Sequence, residues 1–220
     1  YRVKFSQESG EKIESVVVKV PSQNENSRSA SRTTRCYELE TSFYSSLRNS
    51  LKVDTPKCFH VWYDAPSDDF VLVLEDIKDA TQGDQITGAT VEQADAAITQ
   101  LVNLHAPMWG SEKLEQIVWL PKHSSNVATG TGQLLRSVFS GFAERFAEKV
   151  DSEIISLGQR LVSKINRYYA AFPNVLTVAH RDFRLDNLLF TSMGNQIGVK
   201  VVDWQTVGVM PGASDLGYFI

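Results

Sequence analysis

The sequence predicts an α+β protein with two lobes, a small antiparallel sheet lobe over residues 1–76 and a mainly helical lobe over residues 77–220. Short alternating or apolar runs bounded by polar turns dominate the first stretch, which is typical of antiparallel strands. Longer segments with apolar residues at helical spacing dominate the second stretch. A chain of 220 residues buries about 70% of its unfolded surface, which is enough for two lobes.

Four strands are expected in the first lobe. Residues 1–5 and 15–20 flank the turn-like residues 7–12 and predict a β-hairpin. Residues 59–63 and 70–74 predict a second strand pair, joined by a turn that contains Pro and Asp.

The segment between these strand pairs divides into a loop and a helix. Residues 21–35 are polar and Ser-rich and have no periodicity, so they predict a mobile loop. Residues 35–47 carry an apolar stripe at helical spacing, so they predict a helix that faces the sheet. The stripe consists of Cys36, Leu39, Phe43 and Leu47.

Three helices are expected in the second lobe. Thr90 begins the first of them, because Gln93 completes a capping-box pattern. The second covers residues 134–150 and the third covers roughly residues 152–171.

The second of these helices is expected to start after a loop and to contribute to a core. Gly130 and Gly132 form the loop, since no strand precedes them and the third glycine of a phosphate-binding pattern is missing. The core-like residues of the helix are Leu135, Phe139, Phe142 and Phe146.

Polar residues converge in the segment that reads HRDFRLDNLLF, TSMGNQIG and VKVVDWQ. Residues 188–191 and 199–202 are apolar runs around a short turn, so they predict an antiparallel strand pair. Asp182 and Asn187 precede the first strand and Asp203 ends the second, which brings three oxygen-bearing side chains to one end of the hairpin. Such hard oxygen ligands suit Mg²⁺.

The spacing His180-x-Asp182-x-x-x-x-Asn187 is the catalytic-loop pattern of kinases. In that pattern the Asp orients or deprotonates the acceptor hydroxyl and the Asn binds a metal ion, while Asp203 stands where the second metal-binding Asp belongs. An isolated HxD would more simply be a solvated turn. The agreement of loop spacing, following strand and second Asp-terminated strand favours the kinase interpretation.

The wording HRDFRLDNLLF, VVDWQ and PGASDLGYF resembles the aminoglycoside phosphotransferase and choline kinase-like group, including its ecdysteroid kinase-like branch. The resemblance covers nearly the whole chain and implies a protein-kinase-like fold that binds ATP and Mg²⁺ and phosphorylates a hydroxyl of a small molecule. Two features separate the chain from protein kinases: Trp204 and Gln205 replace Phe-Gly after Asp203, and no Ala-Pro-Glu follows. Arg181 stands where small-molecule kinases usually have Gly, which leaves the substrate class open.

The resemblance also implies roles for residues outside the motif. Lys19 takes the place of the strand lysine that contacts the α- and β-phosphates, and the backbone from Glu75 to Ile77 would hydrogen-bond the adenine. Asp215 would hold the catalytic loop in shape. Arg184 has two open interpretations: stabilising the charge on the transferred phosphate, or forming a surface salt bridge.

A kinase site also needs an acidic residue on the first helix to hold the lysine. Glu38 and Glu40 are the candidates. At about 100° per residue, Glu40 lies about 60° from Phe43 on the apolar face, whereas Glu38 lies about 140° away towards solvent. We therefore expect Glu40 to pair with Lys19 and Glu38 to be a surface charge.

Bulk properties narrow the setting and the partners. The net charge of −4, with both signs interspersed, gives no basic surface for nucleic acid. No apolar run is long enough to span a bilayer, and the only two cysteines, Cys36 and Cys58, fit neither a disulfide framework nor a zinc site. A reducing, cytoplasmic setting is expected.

Compared with the family it resembles, the chain is expected to be truncated at both ends. A glycine-containing phosphate-covering turn would precede the first strand, and further helices would follow Ile220. His105 is expected to be a buried, hydrogen-bonded structural histidine rather than a catalytic one. A protein Ser/Thr kinase-like enzyme and a non-catalytic binding scaffold remain the alternative functions.

Overall fold

A computed structural model describes residues 1–5, 13–122, 125–173, 175–194 and 196–220. The predicted turn at residues 7–12 lies outside the described residues. The chain divides into two compact units: residues 1–121 together with 175–220, and residues 122–174. The lobe boundary expected near residue 76 stays a prediction.

The first unit contains a four-stranded antiparallel sheet in the order β1-β2-β4-β3. Its strands are β1 (Arg2–Lys4), β2 (Ser15–Lys19), β3 (Cys58–Asp64) and β4 (Asp69–Glu75). The two predicted strand pairs, β1 with β2 and β3 with β4, are confirmed. Strand β4 alternates buried and half-buried residues, which is the pattern of a sheet with one face on a core.

The loop prediction for residues 21–35 was wrong, because helix α1 (Glu25–Thr34) fills most of it. The side chain of Asn24 caps the helix by accepting from the Ser27 amide (3.1 Å), and Arg35 ends it with a left-handed φ of 60°. None of its residues is buried, so it has no apolar stripe for periodicity to detect. Arg28 of this helix donates to the Asp69 carboxylate (2.8 Å).

The helix predicted for residues 35–47 is confirmed, with a change of winding along its length. It begins as α2 (Cys36–Ser42), continues as a π-helical turn (Phe43–Leu47) and ends as a 3₁₀ turn (Arg48–Ser50). Leu39, Phe43 and Leu47 of the predicted stripe are buried.

The rest of the first unit combines short helices with small sheets. Helix α3 (Val91–His105) begins at the predicted capping box, in which Thr90 and Gln93 bond each other's backbone amides (2.9 and 3.2 Å). The other elements are a 3₁₀ turn (Ala106–Met108), α4 (Lys113–Gln116), β5 (Thr81–Gln82), β6 (Thr177–Ala179), a 3₁₀ turn (Leu185–Asn187), β7 (Leu188–Met193), β8 (Gln196–Val201), β9 (Gly208–Met210) and α7 (Ala213–Phe219). The sheets are β5-β7-β8 and β6-β9.

The core of this unit centres on stacked aromatic rings. The rings of Phe43 and Trp204 lie 3.8 Å apart and 6° from parallel, and both residues are fully buried. The other large, fully buried apolar residues are Phe183, Leu72, Leu104, Leu120, Leu188, Val178, Val201 and Val207.

The second unit contains two long helices, α5 (Ser125–Phe146) and α6 (Ser152–Ala170). The expected loop at Gly130 and Gly132 was wrong, because both glycines lie inside α5. A Cβ on Gly132 would come within 2.9 Å of Ile165 and 2.8 Å of Asn166 on α6, so this glycine permits close helix approach. The glycine therefore serves helix packing rather than a turn.

The core predicted for this second unit is only partly present. Leu135, Phe139 and Phe146 are half-buried, and Phe142 is exposed, so the expectation for Phe142 was wrong. Across the parts of the chain that the structure describes, no helix is both long enough and apolar enough to cross a membrane.

Candidate active site

The predicted strand pair at residues 188–202 is confirmed as β7 and β8, with Leu188 opposite Val201. The Val202 amide donates to the Asn187 carbonyl (3.0 Å), so the pairing extends one residue beyond the strands. Asn187 and Asp203 therefore lie at the same end of the hairpin.

Asn187 fixes Asp182 beside it. The Asn187 side chain is buried, and its Nδ2 donates to the backbone carbonyl (2.8 Å) and to Oδ2 (2.9 Å) of Asp182. Because both bonds use the amide nitrogen, the amide oxygen remains an acceptor that a cation can use. The structure thus brings together two of the three predicted oxygen ligands.

Asp215 holds the 180–187 loop (residues 180–187) in place through hydrogen bonds to its backbone. Its fully buried carboxylate accepts from the amides of His180 and Arg181, each at 2.8 Å, and lies 3.0 Å from His105 Nε2. His105 is therefore buried and hydrogen-bonded, as expected for a structural histidine. Arg181 has a left-handed φ of 68°, which explains why glycine suits this position in the resembling family.

His180 ties the 180–187 loop to the end of β8. The ring is fully buried, and its burial lowers its pKa, so it is neutral near pH 7. Nε2 lies 3.0 Å from the Val202 carbonyl and Nδ1 lies 3.3 Å from the Asp182 amide. A neutral ring with its proton on Nε2 satisfies both partners, since it donates to the carbonyl and accepts from the amide.

Lys19 on β2 lies between two carboxylates. Its Nζ is 2.6 Å from Glu40 Oε2 and 3.1 Å from Asp203 Oδ1. Burial alone lowers the pKa of Lys19, but the charges of Glu40 and Asp203 outweigh it and the pKa rises, so the lysine stays charged. The expected pairing with Glu40 is present, while Glu38 pairs with Arg35 (2.6 Å).

Asp203 has an unusual backbone and a second side-chain contact. Its φ is 68°, a left-handed conformation that costs energy for a non-glycine residue and is often found at functional sites. Its Oδ2 accepts from Gln205 Nε2 (2.9 Å), so both carboxylate oxygens are engaged.

Trp204 supports the helix that carries Glu40, and the sequence did not reveal this role, because Trp204 stood out only as a departure from Phe-Gly. Its ring stacks on the ring of Phe43 at 3.8 Å between centroids. Since Glu40 and Phe43 are three residues apart on one helical face, Trp204 holds the part of the helix that carries Glu40. The helical spacing was the signal that could have revealed this contact.

A cavity of about 360 Å³ adjoins these groups. It is lined by Lys19, Glu40 and Asp203 and by the segment from Leu74 to Ile77, among others. The Glu75 amide donates to the Lys57 carbonyl (2.8 Å), so a base contact at residues 75–77 would use the other backbone groups of this segment. The adenine contact stays a prediction.

Arg184 adopts the salt-bridge geometry, one of its two open interpretations. Its NH1 lies 2.9 Å from Asp186 Oδ2, and its Nε lies 3.5 Å from Asp182 Oδ1. A role towards a transferred phosphate stays a prediction.

Comparisons with known proteins identify a family and a fold. The sequence profile of the ecdysteroid kinase-like family matches residues 1–220. The chain is similar in structure to an aminoglycoside-3'-phosphotransferase of type VIII, with 19% identity and a TM-score of 0.55, over 93% of this chain and 68% of that one. It is also similar to a wild-type aminoglycoside 2'-phosphotransferase-IIIa in its GDP complex, with 15% identity and a TM-score of 0.53, over 84% and 62%.

At these identities the structural likeness shows the fold alone, which is the protein-kinase-like α+β fold. The chain spans about two thirds of the length of these relatives, or slightly less. No protein with a curated description matches it. The family match over every residue decides the assignment: the chain belongs to the ecdysteroid kinase-like family.

Proposed function

We propose that the chain carries the site of an ATP-dependent phosphotransferase that phosphorylates a hydroxyl group of a small molecule. The observation that carries this proposal is the Lys19 ammonium between Glu40 and Asp203, at the same hairpin end as Asp182 and Asn187. Membership of a kinase-like family supports it. Phosphoryl transfer is catalysed mainly by positioning and charge, and this cluster supplies both.

Lys19 is proposed to contact the α- and β-phosphates. The buried Glu40 carboxylate forms an ion pair with the Lys19 ammonium. In this proposal, the ion pair keeps Lys19 in place when a nucleotide competes with Lys19 for Asp203. The adenine is proposed to contact the backbone from Glu75 to Ile77 beside the cavity.

Asn187 and Asp203 are proposed to hold Mg²⁺. In the described ranges, no group of three or more His, Cys, Asp and Glu residues is arranged as a metal site. An amide oxygen and a carboxylate nevertheless suit Mg²⁺, which is usually bound through one or two protein ligands, phosphate oxygens and water. The bound ion would neutralise charge on the phosphates.

Asp182 is proposed to accept the proton of the attacking hydroxyl. Its Oδ2 is engaged by Asn187, so Oδ1 faces the acceptor hydroxyl in this proposal. Arg184 lies close enough to Asp182 to reach either this carboxylate or a phosphate, so its role in transfer belongs to the same proposal.

The proposed setting is the cytoplasm, and the proposed partner is a small hydroxyl-bearing molecule rather than nucleic acid or a membrane. Cys36 and Cys58 are both free thiols, which fits a reducing compartment.

The test is ATP turnover by the chain with four acceptor classes: amino alcohols, aminoglycosides, sugars and ecdysteroids. We expect one class to stimulate ADP formation in a Mg²⁺-dependent manner, with a phosphorylated product. Asp203→Asn is the control, because it removes the negative charge of a proposed metal ligand. Turnover that is absent in all four classes, or equal in the control, would contradict the proposal.

A further inference from the structure

The two carboxylate oxygens of Asp203 have different partners. Oδ1 lies 3.1 Å from Lys19 Nζ, and Oδ2 accepts a hydrogen bond from Gln205 Nε2 at 2.9 Å. Lys19 lies closer to Glu40, at 2.6 Å, so its contact with Asp203 is the weaker of these two ion pairs. Oδ1 is therefore the oxygen that a cation can take over, while Gln205 retains Oδ2.

The backbone around Gln205 is anchored on both sides. Before it, the Trp204 ring is fully buried and donates from Nε1 to the Val201 carbonyl (3.2 Å). After it, the Thr206 hydroxyl donates to the His180 carbonyl (2.8 Å). The half-buried Gln205 side chain thus extends from a fixed backbone, and its amide loses little further freedom when it donates to the carboxylate.

A neutral amide donor is well suited to this position. An ionised carboxylate only accepts hydrogen bonds, so a partner for Oδ2 must present an N–H or O–H group. An arginine or a lysine could also donate, but its positive charge would offset the charge of Asp203 that attracts a cation. Glutamine fixes the carboxylate and leaves its negative charge intact. Orientation matters here, because Mg²⁺ requires near-ideal octahedral geometry.

We propose that Gln205 is a positioning residue that holds Oδ2 of Asp203, so that Oδ1 is turned towards the position proposed for Mg²⁺. This inference rests on the proposed function. Loss of a hydrogen-bonding partner of a metal ligand typically lowers metal affinity by about 10- to 100-fold. Gln205 therefore determines how strongly Mg²⁺ supports nucleotide binding, and it does so through Asp203 alone.

The test is Gln205→Met, which keeps the length of the side chain and removes the donor. Calorimetric titration gives the Kd for ATP without and with Mg²⁺, and the ratio of the two constants measures what the ion contributes. We expect this ratio to fall at least about tenfold from its wild-type value. The Kd without metal should stay within about twofold, since the lysine and its Glu40 partner are unchanged.

Gln100→Met is the matched control. Gln100 is also half-buried, and its side chain also makes a hydrogen bond, in which Oε1 accepts from the Asp54 amide (2.8 Å). The same chemical change is thereby made on α3, away from Asp203. The Mg²⁺ ratio of this control should equal that of the wild type.

Ca²⁺ separates the orientation of Asp203 from its charge. Ca²⁺ accepts about six to eight oxygen ligands in a flexible geometry, so a misplaced carboxylate should weaken its binding less. We expect Gln205→Met to lower the corresponding Ca²⁺ ratio by less than about threefold. A merely structural or electrostatic role would lower both ratios equally.

An unchanged Mg²⁺ ratio in Gln205→Met, or equal losses with Mg²⁺ and Ca²⁺, would overturn the inference while leaving the proposed function intact. A wild-type chain whose ATP affinity does not respond to Mg²⁺ would contradict the proposed metal position and this inference together.

Discussion

The 180–187 loop and the helix pair α5–α6 differ in which side chains are buried and which are exposed. Around the loop, polar residues are buried: His180 and Asp215 are fully inaccessible and Asn187 is nearly so. Each has a partner for its buried polar atoms, as burial requires.

The helix pair instead leaves large apolar residues exposed. Leu134 and Val138 on α5, and Ile154, Leu157 and Leu161 on α6, are each about half exposed or more. Ile165 is the one buried residue assigned to α6 among its described residues. Substitution of an exposed side chain removes fewer packing contacts than substitution of a buried one. Substitutions in the two regions should therefore change the unfolding free energy by very different amounts.

The comparison is tested most severely by Asp182→Asn. This change keeps the shape of the side chain but removes the proposed proton acceptor, so we expect kcat to fall by roughly 10²- to 10⁴-fold with ATP affinity nearly unchanged. Asp95→Asn makes the same chemical change on an exposed face of α3 and serves as the control. Full activity of Asp182→Asn in a coupled kinase assay would contradict the proposed role of Asp182 as proton acceptor.

A second test uses the Lys19–Glu40 pair. Lys19→Met and Glu40→Gln should each lower kcat/KM by roughly 10²- to 10³-fold, because both remove preorganised charge from the phosphate site. The double variant should be little worse than either single variant, since the two residues act as one unit.

Glu38→Gln is the matched control for Glu40→Gln, because Glu38 lies on the same helix but pairs with Arg35. It should leave kcat/KM nearly unchanged. A larger loss for Glu38→Gln than for Glu40→Gln would show that the ion pair at Lys19 does not serve the reaction.

A third test asks whether the buried polar residues also stabilise the fold. Asp215→Asn removes the charge that accepts from two loop amides, and we expect about 3 kcal/mol lower unfolding free energy. Urea denaturation measures this. A loss below about 0.5 kcal/mol, the ordinary range for surface changes, would mean that Asp215 does not hold the loop.

The smallest effect is expected in the helix pair. Phe142→Ser on α5 should change the unfolding free energy by only about 0.5 kcal/mol, because 44% of the Phe142 surface is exposed. Phe183→Ala removes a fully buried ring of the 180–187 loop and should cost about 3 to 5 kcal/mol. Equal losses for the two phenylalanines would end the distinction between the regions.

The sequence was most informative where chemistry restricts it most. The spacing of the motif predicted that Asp182, Asn187 and Asp203 lie at one end of a hairpin, because pairing of the two strands fixes the positions of the residues that flank them. The strand pair is confirmed. The choice of Glu40 over Glu38 followed from helical geometry, and the Lys19–Glu40 contact is present. Their catalytic roles stay predictions.

The sequence was least informative where tertiary context decides. Helix α1 has no buried residue, so periodicity could not reveal it. Phe142 has the right spacing for a core but lacks enough neighbouring surface to cover it.

The most direct test of the proposed site is calorimetric titration of the chain with ATP, with and without Mg²⁺, for the wild type and for Asp203→Asn. Asp203 contacts Lys19 and directly follows Val202, whose amide donates to the Asn187 carbonyl, so Asp203 joins the lysine to the proposed metal position. We predict that Mg²⁺ strengthens ATP binding to the wild type and that Asp203→Asn abolishes this strengthening, because the variant lacks the negative charge that faces the ion. An identical Mg²⁺ dependence in both proteins would place the metal elsewhere and contradict the account.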